Sequence, residues 1–95
     1  MRKAGRRAGD GLFGIHYMAN DCGHARLGMA VGLRVAGNAV RRNRIRRCVR
    51  ESFRLHQHEL PQIDVFVSAR GRAGDATNAE MFASLKHLWL QIARP

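Results

Sequence analysis

The stretch from Arg34 to Arg54 carries two periodic patterns at once, and together they leave it a single regular conformation. Ile45, Cys48, Val49 and Ser52 recur at i, i+3, i+4 and i+7, with Phe53 at the margin, which is the spacing of a helix with one buried stripe. Asn43, Arg47, Arg50 and Arg54 recur at i, i+4, i+7 and i+11 and stack along the opposite side, with Arg46 bordering them. Eight arginines (34, 41, 42, 44, 46, 47, 50 and 54) fall in this stretch, and Glu51 is the only acid among them. The pattern predicts a helix from Ala39 to about His58, with Asn38 as its N-cap after Gly37. Arg42 and Arg44 flank the ridge at the N-terminal end, where unsatisfied backbone N–H groups and the helix dipole also favour phosphate. Arg47 and Glu51, four apart, are expected to pair on the surface for only ~0.3–0.5 kcal/mol.

Around this helix the periods change. Residues 1–11 are Gly, Arg and Ala without an apolar period and read as a flexible basic arm, leaving 12–95 as one domain. Leu12–Met18 alternates, with Phe13, Ile15 and Tyr17 on one side and Gly14 and His16 on the other, so a strand is predicted. Asn20-Asp21-Cys22-Gly23 is turn chemistry. Arg26–Val35 sets Leu27, Met29, Val31, Leu33 and Val35 against Arg26, Gly28, Ala30, Gly32 and Arg34. The second face is shallow and positive, open either to an anionic ligand or to a packed helix. Pro61 ends the helical region. Ile63–Arg70 alternates Ile63, Val65, Val67 and Ala69 against Asp64, Phe66, Ser68 and Arg70, a third strand followed by a loop over Gly71–Ala76. Thr77 and Glu80 have the spacing of a capping box and open a helix to about Ala93, with Phe82, Leu85, Leu88, Trp89 and Ile92 on its apolar face and Trp89 in the core.

Composition limits what such a fold can do. At 95 residues the chain holds one small core, which excludes a two-domain enzyme with an interdomain cleft. Seventeen Lys+Arg against seven Asp+Glu give a net charge of +10, and all but Lys3 and Lys86 of the basic residues are arginine. Arginine pairs bidentately with phosphate and stacks on bases, so charge and clustering point to a nucleic-acid surface. No apolar run is long enough to span a bilayer, and Met1 to Gly11 lacks the apolar stretch of a secretion signal. Cys22 and Cys48 do not make a disulfide framework, and a reduced, cytoplasmic setting is expected.

Self-sufficient catalysis is not expected. The acids Asp10, Asp21, Glu51, Glu59, Asp64, Asp75 and Glu80 are scattered, whereas two-metal nucleases need converging carboxylates. His56 and His58 point to different sides of a helix, and nothing in the sequence brings His16 and His24 together. Cys22, His24 and Cys48 lack the second close-spaced pair of a zinc site.

Written out, Gly37-Asn38-Ala39-Val40-Arg41-Arg42-Asn43-Arg44-Ile45-Arg46-Arg47 resembles the signature of the bacterial ribonuclease P protein subunit, a Gly-(Asn)-Ala-Val turn running into an Arg-Asn-Arg helix start. Arg26-Leu27-Gly28-Met29-Ala30-Val31 is similar to its preceding strand, Arg50-Glu51-Ser52-Phe53-Arg54 to the helix continuation, and Asp64-Val65-Phe66-Val67 with Arg70 to the following strand. The likeness covers about residues 6–93.

The resemblance implies an α+β fold, a small α/β sandwich similar to domain 2 of ribosomal protein S5, with a mixed sheet carrying helices and a left-handed β-α-β crossover around the arginine helix. It implies a non-catalytic subunit of an endoribonuclease that matures the 5′ ends of tRNA. Its partners would be a catalytic RNA, which performs the hydrolysis with Mg²⁺, and precursor tRNA. No cofactor on the protein chain, no membrane and no protein partner would be needed. On matched positions Arg34, Asn38, Arg41, Arg42, Asn43, Arg44, Arg46, Arg47 and Arg50 would bind RNA, and Phe13, His16 and Arg34 would lie toward the cleft for the 5′ leader. The sequence departs from the family in three places. Only Arg2 to Arg7 stand where members usually carry an N-terminal helix of aromatic and basic residues, so that helix is expected to be missing. Gly32-Leu33-Arg34-Val35 replaces a strand end with Ser and paired Lys, and His16 replaces a tyrosine. The charge and size also suit a small ribosomal or other structural RNA-binding protein.

Overall fold

The structure is a computed structural model, and it describes residues 5–32 and 37–93. In chain order its elements are β1 (Arg6–Gly9), β2 (Phe13–Ala19), β3 (Arg26–Ala30), α1 (Ala39–His56), β4 (Ile63–Ala69) and α2 (Asn78–Ala93). The strands form one mixed sheet in the order β1-β2-β4-β3. β1–β2 and β2–β4 pair antiparallel, while β3 and β4 run parallel. A parallel pair cannot be joined by a hairpin, and α1 makes the crossover between them. This is the mixed sheet with helices expected of an α+β sandwich.

Alternation decides which face of the sheet is buried. Phe13 and Ile15 of β2 and Ile63, Val65 and Val67 of β4 point into a core shared with both helices. The stripe of α1 is buried where the period placed it, at Ile45, Cys48, Val49, Ser52 and Phe53. Asn38 caps that helix, its Oδ1 accepting from the Arg41 amide at 2.8 Å. The helix ends at His56, two residues before the predicted end, and continues as a 3₁₀ turn over Gln57–Glu59. At the start of α2 the Thr77 amide donates to Glu80 Oε1 at 2.8 Å and the Glu80 amide to Thr77 Oγ1 at 3.1 Å, the reciprocal bonds of a capping box. Met81 rather than Phe82 opens the buried stripe of α2, and Phe82 is half-buried at its flank.

The basic arm is the main departure. Residues 6–9 form β1, in register with β2 from Arg6 opposite Tyr17 to Gly9 opposite Gly14. Arg-Arg-Ala-Gly has no apolar alternation; its extended form comes from hydrogen bonds to a strand that follows it and from Ala8 packing on the core. Asp10 shapes the turn into β2. Its Oδ1 accepts from the Leu12 and Phe13 amides at 2.9 and 3.0 Å, and its own amide donates to the Phe13 carbonyl at 2.9 Å. Burial alone would raise the Asp10 pKa, but the bond from the Ser84 hydroxyl, those two amides and the Arg70 charge together hold it below the usual value. The predicted loop after β4 contains a 3₁₀ turn over Gly71–Asp75. The strand predicted to reach Val35 is β3 as far as Ala30, with Val31 buried just after it. Leu33, Arg34 and Val35 lie outside the described residues.

Candidate nucleic-acid interface

The outer side of α1 is built by its inner side. Because the apolar stripe seats the helix on the core, Asn43, Arg47, Arg50 and Arg54 are all turned to solvent and exposed. The predicted ridge is therefore one continuous line. Arg46 is half-exposed beside it and reaches Asn43 Oδ1 with Nη1 at 3.4 Å. Arg42 is likewise half-exposed on the flank. Glu51 pairs with Arg54, three residues on, rather than with Arg47 as expected. That choice leaves Arg47, mid-ridge, with its cation turned outward.

Two residues assigned to RNA binding face another way. Arg41 and Arg44 form a row with Cys48 (i, i+3, i+7), and the row looks across to residues 75–78. Arg41 lies 3.8 Å from Asp75 in an exposed ion pair. Arg44 donates from Nη1 to Asn78 Oδ1 at 2.9 Å and from Nη2 to the Ala76 carbonyl at 3.1 Å. The side chain of Asn38 is engaged as the helix cap.

The second surface is the sheet face that the helices leave open. Register lines up Arg7, His16, Phe66 and Gly28 across all four strands. Beside that row run Gly9, Gly14, Ser68 and Ala30 on one side and Met18, Asp64 and Arg26 on the other. The absence of Cβ atoms matters at two places. A Cβ on Gly28 would stand 3.1 Å from the Phe66 ring, and one on Gly14 would stand 2.8 Å from the Arg70 guanidinium. The glycines let an aromatic ring and a cation approach the sheet closely, and Phe66 remains 46% exposed. A hollow of about 420 Å³ opens there, lined by His16, Met18, Arg26, Gly28, Asp64 and Phe66.

Of the residues assigned to the leader cleft, His16 is on this face and exposed. Phe13 is not: it is fully buried on the helix side, as the alternation with Ile15 and Tyr17 requires, and offers nothing to a ligand. Arg34 falls outside the described residues. Sequence reasoning overlooked Phe66 as a contact residue; the signal was an aromatic in the polar register of β4. Arg7 and Arg70 were overlooked as well, the first because the arm was not read as a strand.

One ion pair holds the hollow's rim. Arg26 donates from Nε and Nη2 to the two Asp64 oxygens at 2.8 and 3.0 Å, and Asn20 Nδ2 adds a bond to Oδ1 at 2.8 Å. The Arg26 hydrogen bond, then that from Asn20, lowers the Asp64 pKa to about 2, and the same pairing raises Arg26 above its ordinary value. Asp64 is thus neutralised by its neighbour and does not repel an approaching phosphate. Among the described residues no group of three His, Cys, Asp or Glu side chains is placed to hold a metal ion, and no helix is long and apolar enough to cross a membrane.

The family model described as ribonuclease P matches residues 1–93. The chain belongs to the ribonuclease P protein family. It is 42% identical over 83 residues to the ribonuclease P protein component of Halorhodospira halophila, covering 87% of this chain and 68% of that one. It is 44% identical over 89 residues to the component of Vibrio campbellii, covering 94% and 75%. Among solved structures, the Staphylococcus aureus RNase P protein superposes with a TM-score of 0.85 at 36% identity, covering 95% of this chain and 82% of that one. The Thermotoga maritima RNase P protein, in complex with 1-(4-fluorophenyl)-2-thiourea, gives 0.84 at 27% identity, covering 93% and 86%. The family's fold is therefore this sheet and helix pair, and its general role is in tRNA 5′ processing.

Proposed function

We propose that this chain is the protein subunit of ribonuclease P, that it binds the catalytic RNA along the ridge of α1, and that it receives the single-stranded 5′ leader of precursor tRNA on the open face of its sheet. The observation that carries this reading is the exposed row of Asn43, Arg47, Arg50 and Arg54 in a chain of this family. Phosphate contacts of this kind position an RNA without reading its sequence. On the sheet, Phe66 and His16 offer rings on which unpaired bases stack, and Arg7 and Arg70 supply charge for the backbone, the combination that single strands require. Hydrolysis then belongs to the RNA and its Mg²⁺; the protein holds the substrate and screens phosphate repulsion, with no cofactor of its own and a cytoplasmic place of work.

Reconstitution tests it. Adding the chain to its cognate RNA should raise the rate of precursor-tRNA cleavage at low Mg²⁺, with the isolated chain inactive. No enhancement at any salt concentration, together with co-sedimentation with ribosomal subunits, would instead make it a structural RNA binder.

A further inference from the structure

We propose that Arg44 and Asn78 form a clamp that sets the angle at which α1 presents its cationic ridge, so that the second arginine of the Arg-Asn-Arg segment is a positioning residue rather than a phosphate contact. The proposal rests on the reading of the ridge as the RNA-binding surface and adds a division of labour within it.

Arg44 lies on the flank of α1 between the ridge and the buried stripe, on the side that faces α2. Its planar fork is used in two directions, to Asn78 Oδ1 at 2.9 Å and to the Ala76 carbonyl at 3.1 Å. Ala76 is 5% exposed and precedes the helix, whose ladder begins only with the Met81 amide on the Thr77 carbonyl. Among the described residues no donor other than Arg44 reaches this carbonyl, and a backbone acceptor left unpaired in a nearly buried residue is costly. Asn78 is tied to α1 a second time, accepting from Cys48 Sγ at 3.6 Å. At the other end the same two helices are pinned by Trp89, which meets Ser52 at 2.8 Å and Phe53 edge-on at 5.7 Å. The pair is held at two points, and the ridge residues 43–50 sit nearest the Arg44 end. Releasing that point frees the first turns of α1 to swing while the core stays packed. A lysine would not replace the fork, because a point charge cannot hold both acceptors in one plane.

The test measures affinity of the full chain for its cognate ribonuclease P RNA transcript across a salt series, for Arg44→Ala, Asn78→Ala, Asn78→Asp and Arg47→Ala. Asn78→Ala changes no charge and lies off the ridge, yet it should weaken binding about three- to tenfold, a fraction of a charge-assisted hydrogen bond, with the salt slope unchanged. Asn78→Asp keeps the acceptor and should restore affinity. Arg47→Ala, a true phosphate contact, should reduce the slope by about 0.7–0.9, and Arg44→Ala by much less. Wild-type affinity in Asn78→Ala, or an Arg44→Ala slope that falls as far as that of Arg47→Ala, would overturn the clamp. If Arg47→Ala changes neither affinity nor slope, the RNA-binding reading of the ridge is what fails. The clamp is also read without RNA: amide exchange over residues 39–47 should quicken in Asn78→Ala, and unchanged exchange would refute it.

Discussion

The indole Nε1 of Trp89 donates to the hydroxyl of Ser52 at 2.8 Å inside the helix–helix contact. Ser52 is fully buried, on the stripe of α1 directly opposite the arginines, so this bond holds the helix on which the ridge stands. Replacing Ser52 with alanine strands a buried donor, which typically costs ~1–3 kcal/mol. Urea unfolding followed by Trp89 fluorescence should show that loss, and a midpoint equal to that of the unsubstituted chain would mean the bond contributes nothing.

Asp64 should titrate well below the ordinary aspartate value. With Arg26 and Asn20 on its oxygens its pKa is about 2 against an ordinary 3.8. A depressed carboxylate stabilises the fold above its unfolded pKa, so this contribution is present above pH 3.8 and is lost as the pH falls toward about 2. NMR titration of the Asp64 carboxyl should show the low midpoint, and Arg26→Ala should move it back up. A midpoint near 3.8 in the unsubstituted chain contradicts the pairing.

Phe66 should matter to the substrate and not to the catalytic RNA. Base stacking on an exposed ring contributes ~1–3 kcal/mol per base, so Phe66→Ala should weaken binding of precursor tRNA with a long leader by about tenfold or more. A precursor trimmed to a single leader nucleotide should lose far less. Equal losses for both substrates would take the leader off the sheet.

The two thiols should differ in reactivity. Cys22 is exposed and Cys48 is buried. Burial pushes the Cys48 pKa up, offset in part by Arg44 and Arg47, and the thiolate is the reactive form. A disulfide reagent should modify Cys22 quickly and Cys48 only as the chain opens; matched rates would place Cys48 at the surface.

What the sequence discloses here tracks how local the determining physics is. The stripe and ridge of α1, the Asn38 cap and the Thr77–Glu80 box are set by residues within a turn or two of one another, and all were legible. β1 was not, because Arg6-Arg7-Ala8-Gly9 is a strand only by virtue of β2 beside it. Phe13 shows two kinds of inference in conflict. Its alternation with Ile15 put it in the core, whereas the family resemblance carried it to the cleft, and burial follows the alternation. Glu51 chose Arg54 over Arg47, a choice between neighbours of nearly equal energy that spacing alone does not decide. Arg44 looked like its fellow arginines until α2, more than thirty residues away, supplied its acceptors.

The most direct measurement is the salt dependence of binding to the ribonuclease P RNA. If the α1 ridge neutralises about four or five phosphates, log K should fall against log salt concentration with a slope of roughly −3 to −4.5, and Arg47→Ala combined with Arg50→Ala should both weaken binding and flatten the line. A slope near zero, or a double variant that binds as the unsubstituted chain does, would mean that these arginines do not engage the RNA.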